Sequence, residues 1–198
     1  MNLRLIALLI AFIALPTRVQ AADRPATAAV AERAALLQTL NRGATVNSNN
    51  QQYQILPGVR AVESLSQEQP QQTLTRMGGS KLIETKGSFV VFTVAQKSTT
   101  SVRSVNGTTS YPTALNSRTG RIGILPGTLS VKLKNMDNAA TVSADHGLEV
   151  VRVFVHLQTA FYRVKPGQDV VAAAASLTAD PRVASAEVEV IEHIAVAR

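Results

Sequence analysis

The alternation of apolar and polar residues predicts a β-α-β-β-α-β order in the last third of the chain. Thr128 to Lys134 alternates after a Pro126-Gly127 turn, and Asp137 to Asp145 has the length of a short helix. Two β-rich runs follow between Gly147 and Lys165. The rest of the pattern is a Pro166-Gly167 turn, a helix from Asp169 to Ala179, a stop at Asp180-Pro181 and a final strand. We therefore expect an α+β fold with a ferredoxin-like sandwich at the C-terminal end.

The first half of the chain predicts a smaller, mainly β region preceded by a helix. Thr27 to Leu40 has apolar residues at helical spacing, with Gly43 placed to end the helix. Tyr53 to Val59 reads as a short strand, and Asn47 to Gln52 as loop. Ser64 to Gln72 is compatible with a second helix whose length Pro70 limits.

Two hairpins are predicted downstream. Lys81 to Thr85 and Ser88 to Ala95 flank a Lys86-Gly87 turn, and the second strand is apolar on both faces, which is typical of a central strand. Thr100 to Val105 and Thr108 to Tyr111 flank Asn106-Gly107, a pair that favours a type I′ turn. The remaining predicted elements are a loop at Asn116 to Gly120, a strand at Ile122 to Leu125, and Gly78-Gly79-Ser80 as a tight turn.

The N-terminal residues have the pattern of a secretory signal peptide. Arg4 precedes an apolar run from Leu5 to Leu15, and the small residues Ala21 and Ala22 follow, which predicts cleavage after Ala21. The run is too short to favour a membrane anchor. The expected organisation is a leader at 1–21, a region of unknown family at 22–125, the sandwich at 126–191 and an extended tail at 192–198. We therefore predict a periplasmic or secreted protein with no membrane span after cleavage.

Composition narrows the expected partners. The chain has 198 residues, no cysteine and a net charge of +7. Its stability must therefore come from core burial rather than disulfides. The basic residues are spread singly and aromatic residues are few, whereas a nucleic-acid surface needs clustered charge with aromatic platforms. We interpret the charge as favouring solubility and attraction to an acidic partner or to an envelope surface.

The C-terminal pattern resembles a known family. The residues that carry the resemblance are the Pro126-Gly127 turn with its strand, Gly147 to Val151, the Phe154-x-His156-Leu157-x-Thr159 turn, and Leu177-x-x-Asp180-Pro181-Arg182-Val183-x-x-Ala186-Glu187. Over about seventy residues they resemble the pro-domains of secreted subtilisin-family serine proteases. In such zymogens a protease domain follows the pro-domain, and here the chain stops at Arg198.

The resemblance implies a docking surface on the sheet face that the helices leave open. Strand alternation predicts that the helix side holds Ala160, Tyr162, Val164, Ala184, Ala186, Val188 and Val190. The opposite side then presents Phe161, Arg163 and Lys165 beside Ser185, Glu187 and Glu189. In this family that face packs on helices of the protease, whose N-termini Glu187 and Glu189 would cap. The alternative is that both glutamates are solvated on an ordinary exposed face.

The resemblance also implies a role for the tail. In subtilisin-type pro-domains the C-terminal tail enters the active-site cleft, where an extended segment pairs like an added strand. The residues expected to bind in this way are Ile194, Ala195, Val196, Ala197 and Arg198. Arg198 would then stand before the scissile bond like a bound product, with its carboxylate near the oxyanion hole. The alternative is a disordered terminus.

Motifs of catalysis are missing from the sequence. The three histidines are His146, His156 and His193, and Asp145-His146 reads as a surface turn because neighbours in sequence rarely face each other. There is no nucleophile elbow, zinc-protease helix, phosphate loop or calcium loop. We predict no enzymatic activity, no cofactor and no metal site.

Two classes of function remain open at this point. The first is an exported, non-catalytic protein that binds a subtilisin-like serine protease as an inhibitor or as an intermolecular folding chaperone. The second is an envelope structural or interaction module that reuses the fold without binding a protease. An orphaned pro-region whose protease has been lost is a third reading.

Overall fold

The computed structural model describes residues 24–64, 68–95, 100–105 and 107–193. The predicted signal peptide, Asn106 and the predicted binding residues Ile194 to Arg198 lie outside these ranges. The chain divides into two compact units between Gln38 and Thr39. The described part of the first unit, residues 24–38, lies in the helix α1, Arg24–Thr39, which agrees with the predicted helix within three residues at its start. Val30 is exposed on it.

The first part of the second unit is β-rich. Within the described ranges it forms one seven-stranded sheet with the order β3-β4-β2-β6-β5, in which β1 pairs with β2 and β7 with β6. The elements are β1 Thr45–Ser48, β2 Gln51–Glu63, α2 Pro70–Arg76, β3 Gly79–Lys86, β4 Phe89–Val94, β5 Arg103–Val105, β6 Thr108–Asn116 and β7 Ile122–Ile124. The strand pairing of both predicted hairpins is confirmed, but the strand expected over Thr100 to Val105 begins at Arg103. Val90 to Phe92 are buried in β4, which has a strand on each side as predicted.

Three predictions in this region are wrong. The tight turn expected at Gly78-Gly79-Ser80 ends at Gly78, because β3 begins at Gly79. Asn47 to Gln52 is mostly strand, because Asn49 and Asn50 alone make the turn, with φ of 49° and 59°. Asparagine tolerates this left-handed backbone, so the turn needs no glycine. The second helix begins at Pro70 instead of being stopped by it. Proline is favoured in the first helical turn, where its missing N–H costs nothing.

The second part of the unit is the predicted sandwich, and the fold class is confirmed. Its antiparallel sheet has the order β11-β8-β10-β9, the strand arrangement of a ferredoxin-like fold. The elements are β8 Thr128–Leu133, α3 Ala139–Asp145, β9 Glu149–Phe154, β10 Thr159–Arg163, α4 Val170–Thr178 and β11 Val183–Val188. 3₁₀ turns at Met136–Asn138 and Val155–Leu157 precede α3 and β10.

Local chemistry sets the ends of these elements. The side chain of Asp169 accepts hydrogen bonds from the backbone N–H groups of Val171 and Ala172, at 2.9 and 3.0 Å, and so caps α4. Gly167 has φ of 90°, a backbone that the preceding turn requires and that glycine adopts without strain. The Tyr162 hydroxyl donates to the Ala139 carbonyl at 2.9 Å and ties β10 to α3.

Two β-bulges change which side chains face the helices. Val183 pairs with Leu133 and Ser185 with Lys132, so Ala184 is the extra residue of β11 and is exposed. The prediction that Ala184 faces the helices is therefore wrong, because a bulge breaks strict alternation and buries Val183 in its place. A second bulge in β9 lies at Val151.

The two sheets bury one common core. Tyr53, Ile55 and Ala114 of the first sheet belong to the same buried cluster as Leu129 and Tyr162 of the second. The change of sheet occurs just after Pro126, where the sequence places a domain boundary, but residues 39–198 form one compact unit.

A short segment before β5 connects the sheets through its backbone. Val102 accepts a hydrogen bond from Gly167 N–H at 2.8 Å, and Thr100 accepts one from Val170 N–H at 3.3 Å. The buried Arg60 of β2 donates to the Ser101 carbonyl at 3.0 Å. Burial and the neighbouring Arg103 lower the pKa of Arg60 to about 10, so the side chain remains charged at neutral pH. The segment is therefore fixed from both sides.

His146 is part of a structural tie rather than a surface turn. Its Nε2 lies 3.0 Å from Asp180 Oδ2, and its Nδ1 lies 3.1 Å from Ser176 Oγ. Arg182 binds both oxygens of Asp180, at 3.0 and 2.6 Å, and also reaches Asp145 at 2.8 Å. The Ser-His-Asp geometry resembles a catalytic triad, but the carboxylate charge that would support an imidazolium is already neutralised by Arg182. The network joins the ends of α3 and α4 to the start of β11.

We predict that Asp180→Ala lowers the free energy of unfolding at pH 7 by about 2 kcal/mol, because it removes an acceptor of charge-assisted hydrogen bonds. Hydrogen bonds from Arg182 and then from His146 hold the pKa of Asp180 well below its usual range. The carboxylate therefore stabilises the fold above the unfolded pKa of about 4, and this contribution is lost as pH falls through the folded pKa. Urea denaturation should show that the difference in free energy of unfolding between wild type and Asp180→Ala shrinks as the pH falls below about 4.

The matched control is Asp145→Ala, which removes an exposed partner of the same arginine. Its cost should stay under about 1 kcal/mol, as for surface ion pairs in general. Equal losses for the two variants would contradict the assignment of Asp180 as the centre of the network.

Candidate functional site

The helix-free face of the four-stranded sheet carries the predicted binding residues in rows across the strands. Ser130 of β8 lies opposite Glu187 on one side and Phe161 on the other, and Phe161 lies opposite Arg152 of β9. Side chains of directly opposite residues share a face. Phe161 is half-buried, and Arg163, also on β10, is exposed. The sheet thus brings Phe161, Arg163 and Glu187 to one surface.

The β11 side of this face is already in contact with the first sheet. Glu187 Oε2 accepts a hydrogen bond from the backbone N–H of Asn49, in the β1–β2 turn, at 3.0 Å. Glu189 follows the end of β11, and its N–H donates to the Thr128 carbonyl at 2.9 Å. Burial raises the pKa of Glu189. These glutamates are therefore half-buried, and neither is a fully solvated surface residue.

The β9 side of the sheet is open and apolar. Every residue of β9 is exposed, and the following 3₁₀ turn exposes 62% of Val155 and 66% of Leu157. We call this surface the β9 patch, and its residues are Val150, Val151, Val153, Phe154, Val155 and Leu157. In the described residues, β9 pairs only with β10, so its outer edge presents unpaired backbone. By their register with β10, Val150 and Val153 lie on the helix side of the sheet and Phe154 lies on the helix-free side, so the patch borders the β9 edge on both faces. Exposed apolar residues at an uncovered sheet edge are typical of an interaction site.

Aromatic contacts connect the β9 patch to the predicted binding residues. The rings of Phe154 and Phe161 meet edge to face, with centroids 5.7 Å apart and planes at 82°. The guanidinium carbon of Arg152 lies 5.6 Å from the Phe154 ring centroid. Such packing holds the side chains in place before any partner arrives. Aromatic and arginine side chains are also the residues that dominate binding energy at protein interfaces.

The sequence interpretation missed most of this patch. Periodicity assigned the run from Glu149 to Phe154 to a strand but did not show that it lies at an edge. Its continuous apolar character favours a buried strand, whereas the structure leaves it uncovered. The one available signal was Arg152 among apolar neighbours, since a charge on an otherwise apolar strand is a common feature of edges.

Further features of the described residues concern metal sites, membrane-spanning helices and the contacts of the remaining histidines. No group of three or more His, Cys, Asp or Glu residues there is arranged to hold a metal ion. No helix among the described residues is long and apolar enough to cross a membrane. His156 lies in the 3₁₀ turn before β10, and His193 Nε2 lies 2.8 Å from Arg121 Nη1.

Comparison with known proteins identifies the family. A family model described as the open reading frame 2 N-terminal domain, ORF_2_N, matches residues 24–195. The chain belongs to this family. The ORF_2_N match includes both sheets and the whole β9 patch, so this surface is part of the family domain. No curated protein matches the sequence.

One solved structure has partial similarity. It is described as the crystal structure of the Aeromonas sobria serine protease (ASP) and the chaperone (ORF2) complex. The match covers 50% of this chain and 100% of that chain, at 22% identity and a TM-score of 0.37. A likeness of this size carries no conclusion about what the ORF_2_N chain binds.

We predict that Leu157→Asp changes the free energy of unfolding by no more than about 0.5 kcal/mol, because this side chain is mostly exposed. The matched core variant Leu129→Ala, at a fully buried position of β8, should cost about 2–5 kcal/mol. Urea denaturation measures both. Binding of a hydrophobic dye to the native chain should fall in Leu157→Asp, and a large loss of stability in this variant would show that the patch is part of the core.

Proposed function

We propose that this chain is an exported, non-catalytic protein that binds a serine protease of the subtilisin family, as an inhibitor or as an intermolecular folding chaperone. The observation that carries the proposal is the exposed β9 edge of the ferredoxin-like sheet, where Phe154 of the β9 patch packs against Phe161 on the helix-free face. Exposed apolar residues beside aromatic and arginine side chains are typical of protein-binding surfaces.

The face has the composition of a binding interface. Phe154, Phe161 and Arg152 form a packed cluster on the helix-free face, and the exposed Val155 and Leu157 follow Phe154 in the chain. Interfaces typically combine a few aromatic and arginine anchors with neighbouring contacts that exclude water. On this proposal, the anchors contact surface helices of the protease.

The carboxylates of Glu187 and Glu189 support docking of protease helices on this face. Glu189 lies half-buried at the end of β11, and burial raises its pKa because the charged form is poorly solvated there. The N-terminus of a partner helix would supply N–H groups and a favourable dipole to this carboxylate. Glu187 shares one oxygen with Asn49 and has further acceptor capacity on its carboxylate.

The tail supplies the inhibitory element of the proposal. Residues Ile194 to Arg198 enter the protease cleft as an added strand, with main-chain hydrogen bonds providing affinity. Arg198 then occupies the position before the scissile bond in the cleft. Residues 1–21 direct export, which places the protein in the same compartment as secreted proteases.

The printed name of the family is consistent with a protease partner. The family description refers to open reading frame 2, and ORF2 is the printed name of the chaperone in the Aeromonas sobria complex. Inhibition and chaperoning follow from the same contacts. A protein that binds only the native protease blocks its cleft and shifts the folding equilibrium toward that native state.

We expect the mature chain, beginning at Ala22, to inhibit a subtilisin-family protease encoded by the same organism and to increase the activity recovered after dilution of that protease from denaturant. A chromogenic peptide substrate measures both effects. A chymotrypsin-fold protease is the control, because it has the same catalytic triad on an unrelated fold. It should be neither inhibited nor refolded if the open sheet face recognises the subtilisin surface. The absence of both effects against every exported subtilase of that organism would reject the proposal.

Leu157→Asp should weaken inhibition at least about tenfold, since a charge in a desolvated apolar contact costs more than 1.4 kcal/mol. Val30→Asp is the matched control, because Val30 is an equally exposed apolar residue, 69% accessible, outside the patch. Titration of protease activity against each variant gives the inhibition constants. Equal effects of the two substitutions would show that the patch does not contact the protease.

Removal of residues 194–198 should weaken inhibition about 100-fold, because the face and the tail bind as two linked sites. Binding of the protease by the shortened chain should persist, and isothermal titration calorimetry against an active-site-blocked protease measures it. Unchanged inhibition by the shortened chain would remove the tail from the mechanism.

A further inference from the structure

The chain segment around Ile191, near the end of the described residues, pairs with the first sheet through its backbone. Ile191 N–H donates to the Ile124 carbonyl at 2.9 Å, and Ile124 N–H donates to the Ile191 carbonyl at 3.0 Å. These bonds form an antiparallel bridge to β7. Since β7 pairs with β6 on its other side, the chain is held against the seven-stranded sheet just before the tail begins.

Gly123 makes room for this attachment. A Cβ atom at Gly123 would lie 2.2 Å from Val190 Cγ1, and also within 3.6 Å of Tyr53 Cε1 and 3.7 Å of Glu192 Cγ. A valine side chain has few alternative positions, because its branched Cβ restricts χ1. The absence of a side chain at Gly123 therefore lets the segment from Val190 to Glu192 lie directly on β7.

Glu192 is held in a polar site built by the first sheet. Its side chain is only 11% exposed, and its Oε1 accepts a hydrogen bond from Asn116 Nδ2 at 2.5 Å. Asn116 is completely buried, and its Oδ1 accepts from the backbone N–H groups of Arg118 and Thr119. These bonds fix the amide so that its NH₂ group points toward Glu192. Burial, and then the nearby Glu192 carboxylate, raise the pKa of Tyr53 to about 12.

We propose that Gly123, Asn116 and Glu192 form a clamp that fixes where the tail leaves the domain. The inference rests on the proposed function, and it assigns the seven-stranded sheet a role in that function. The clamp residues are positioning residues that do not touch the protease. Fixing the start of the tail raises its effective concentration at the cleft and lowers the ordering cost on binding. Arg121 contacts His193, the residue after Glu192, so the chain is also held one residue closer to the tail.

The test uses the full mature chain with Gly123→Ala and Glu192→Ala. Hydrogen exchange at the amides of Ile124 and Ile191 should become at least about tenfold faster in both variants, because local opening governs exchange. Inhibition of the subtilisin-family protease should weaken about tenfold, as expected when a preorganised segment becomes free. Glu192→Gln keeps an acceptor for Asn116 and should remain within about threefold of wild type.

Gly58→Ala is the matched control. Gly58 lies in β2 of the same sheet, and a Cβ atom there meets nothing within 4 Å. It should leave exchange and inhibition within about twofold of wild type, as a surface substitution without lost contacts does. Thermal unfolding of each variant shows whether it folds, and Glu192→Ala provides the test if Gly123→Ala does not.

The outcomes separate the inference from the proposed function. Faster exchange with unchanged inhibition would overturn the inference, and so would unchanged exchange in both clamp variants. If the wild-type chain neither binds nor inhibits the protease, the proposed function fails and the inference fails with it. Weakened inhibition in Gly58→Ala as well would show that the sheet acts through general stability and would also overturn the clamp.

Discussion

The common core of the two sheets is the constraint on which the rest of the structure depends. Two short helices cover only one face of the four-stranded sheet. The sheet therefore needs further apolar contacts to reach the burial of a stable domain. Tyr53 and Ile55 of the first sheet and Val102 of the segment before β5 supply these contacts. Gly127 sits at the junction with φ of 83°, where a Cβ atom would lie 2.7 Å from Val102.

This packing makes the open face asymmetric. The β1–β2 turn reaches the β11 side through Asn49 and Glu187, while the β9 side has no cover among the described residues. The apolar β9 patch and the half-buried glutamates are therefore two consequences of the same arrangement. An interface with an apolar part and a polar part on one rigid sheet can bind a partner in a single orientation.

The same packing also connects the sheet to the tail. The chain leaves β11, passes Gly123 and pairs with Ile124 before it reaches Glu192. Polar groups buried along this path have partners, because an unpaired buried group costs more than a hydrogen bond contributes. The first sheet, whose sequence indicated no role, is the support of the segment on which inhibition is proposed to depend.

Local signals in the sequence specify the helices and strands of the C-terminal sandwich. The period of apolar residues, the Pro-Gly turns and the Asp169 cap specify the β-α-β-β-α-β order, because these signals act within a few residues. Tertiary structure alone decided that β9 is an exposed edge, that Ala184 turns outward at a bulge and that Ile191 pairs with Ile124. Each of these depends on pairing between residues far apart in the chain, and strand periodicity carries no information about which strand lies beside which.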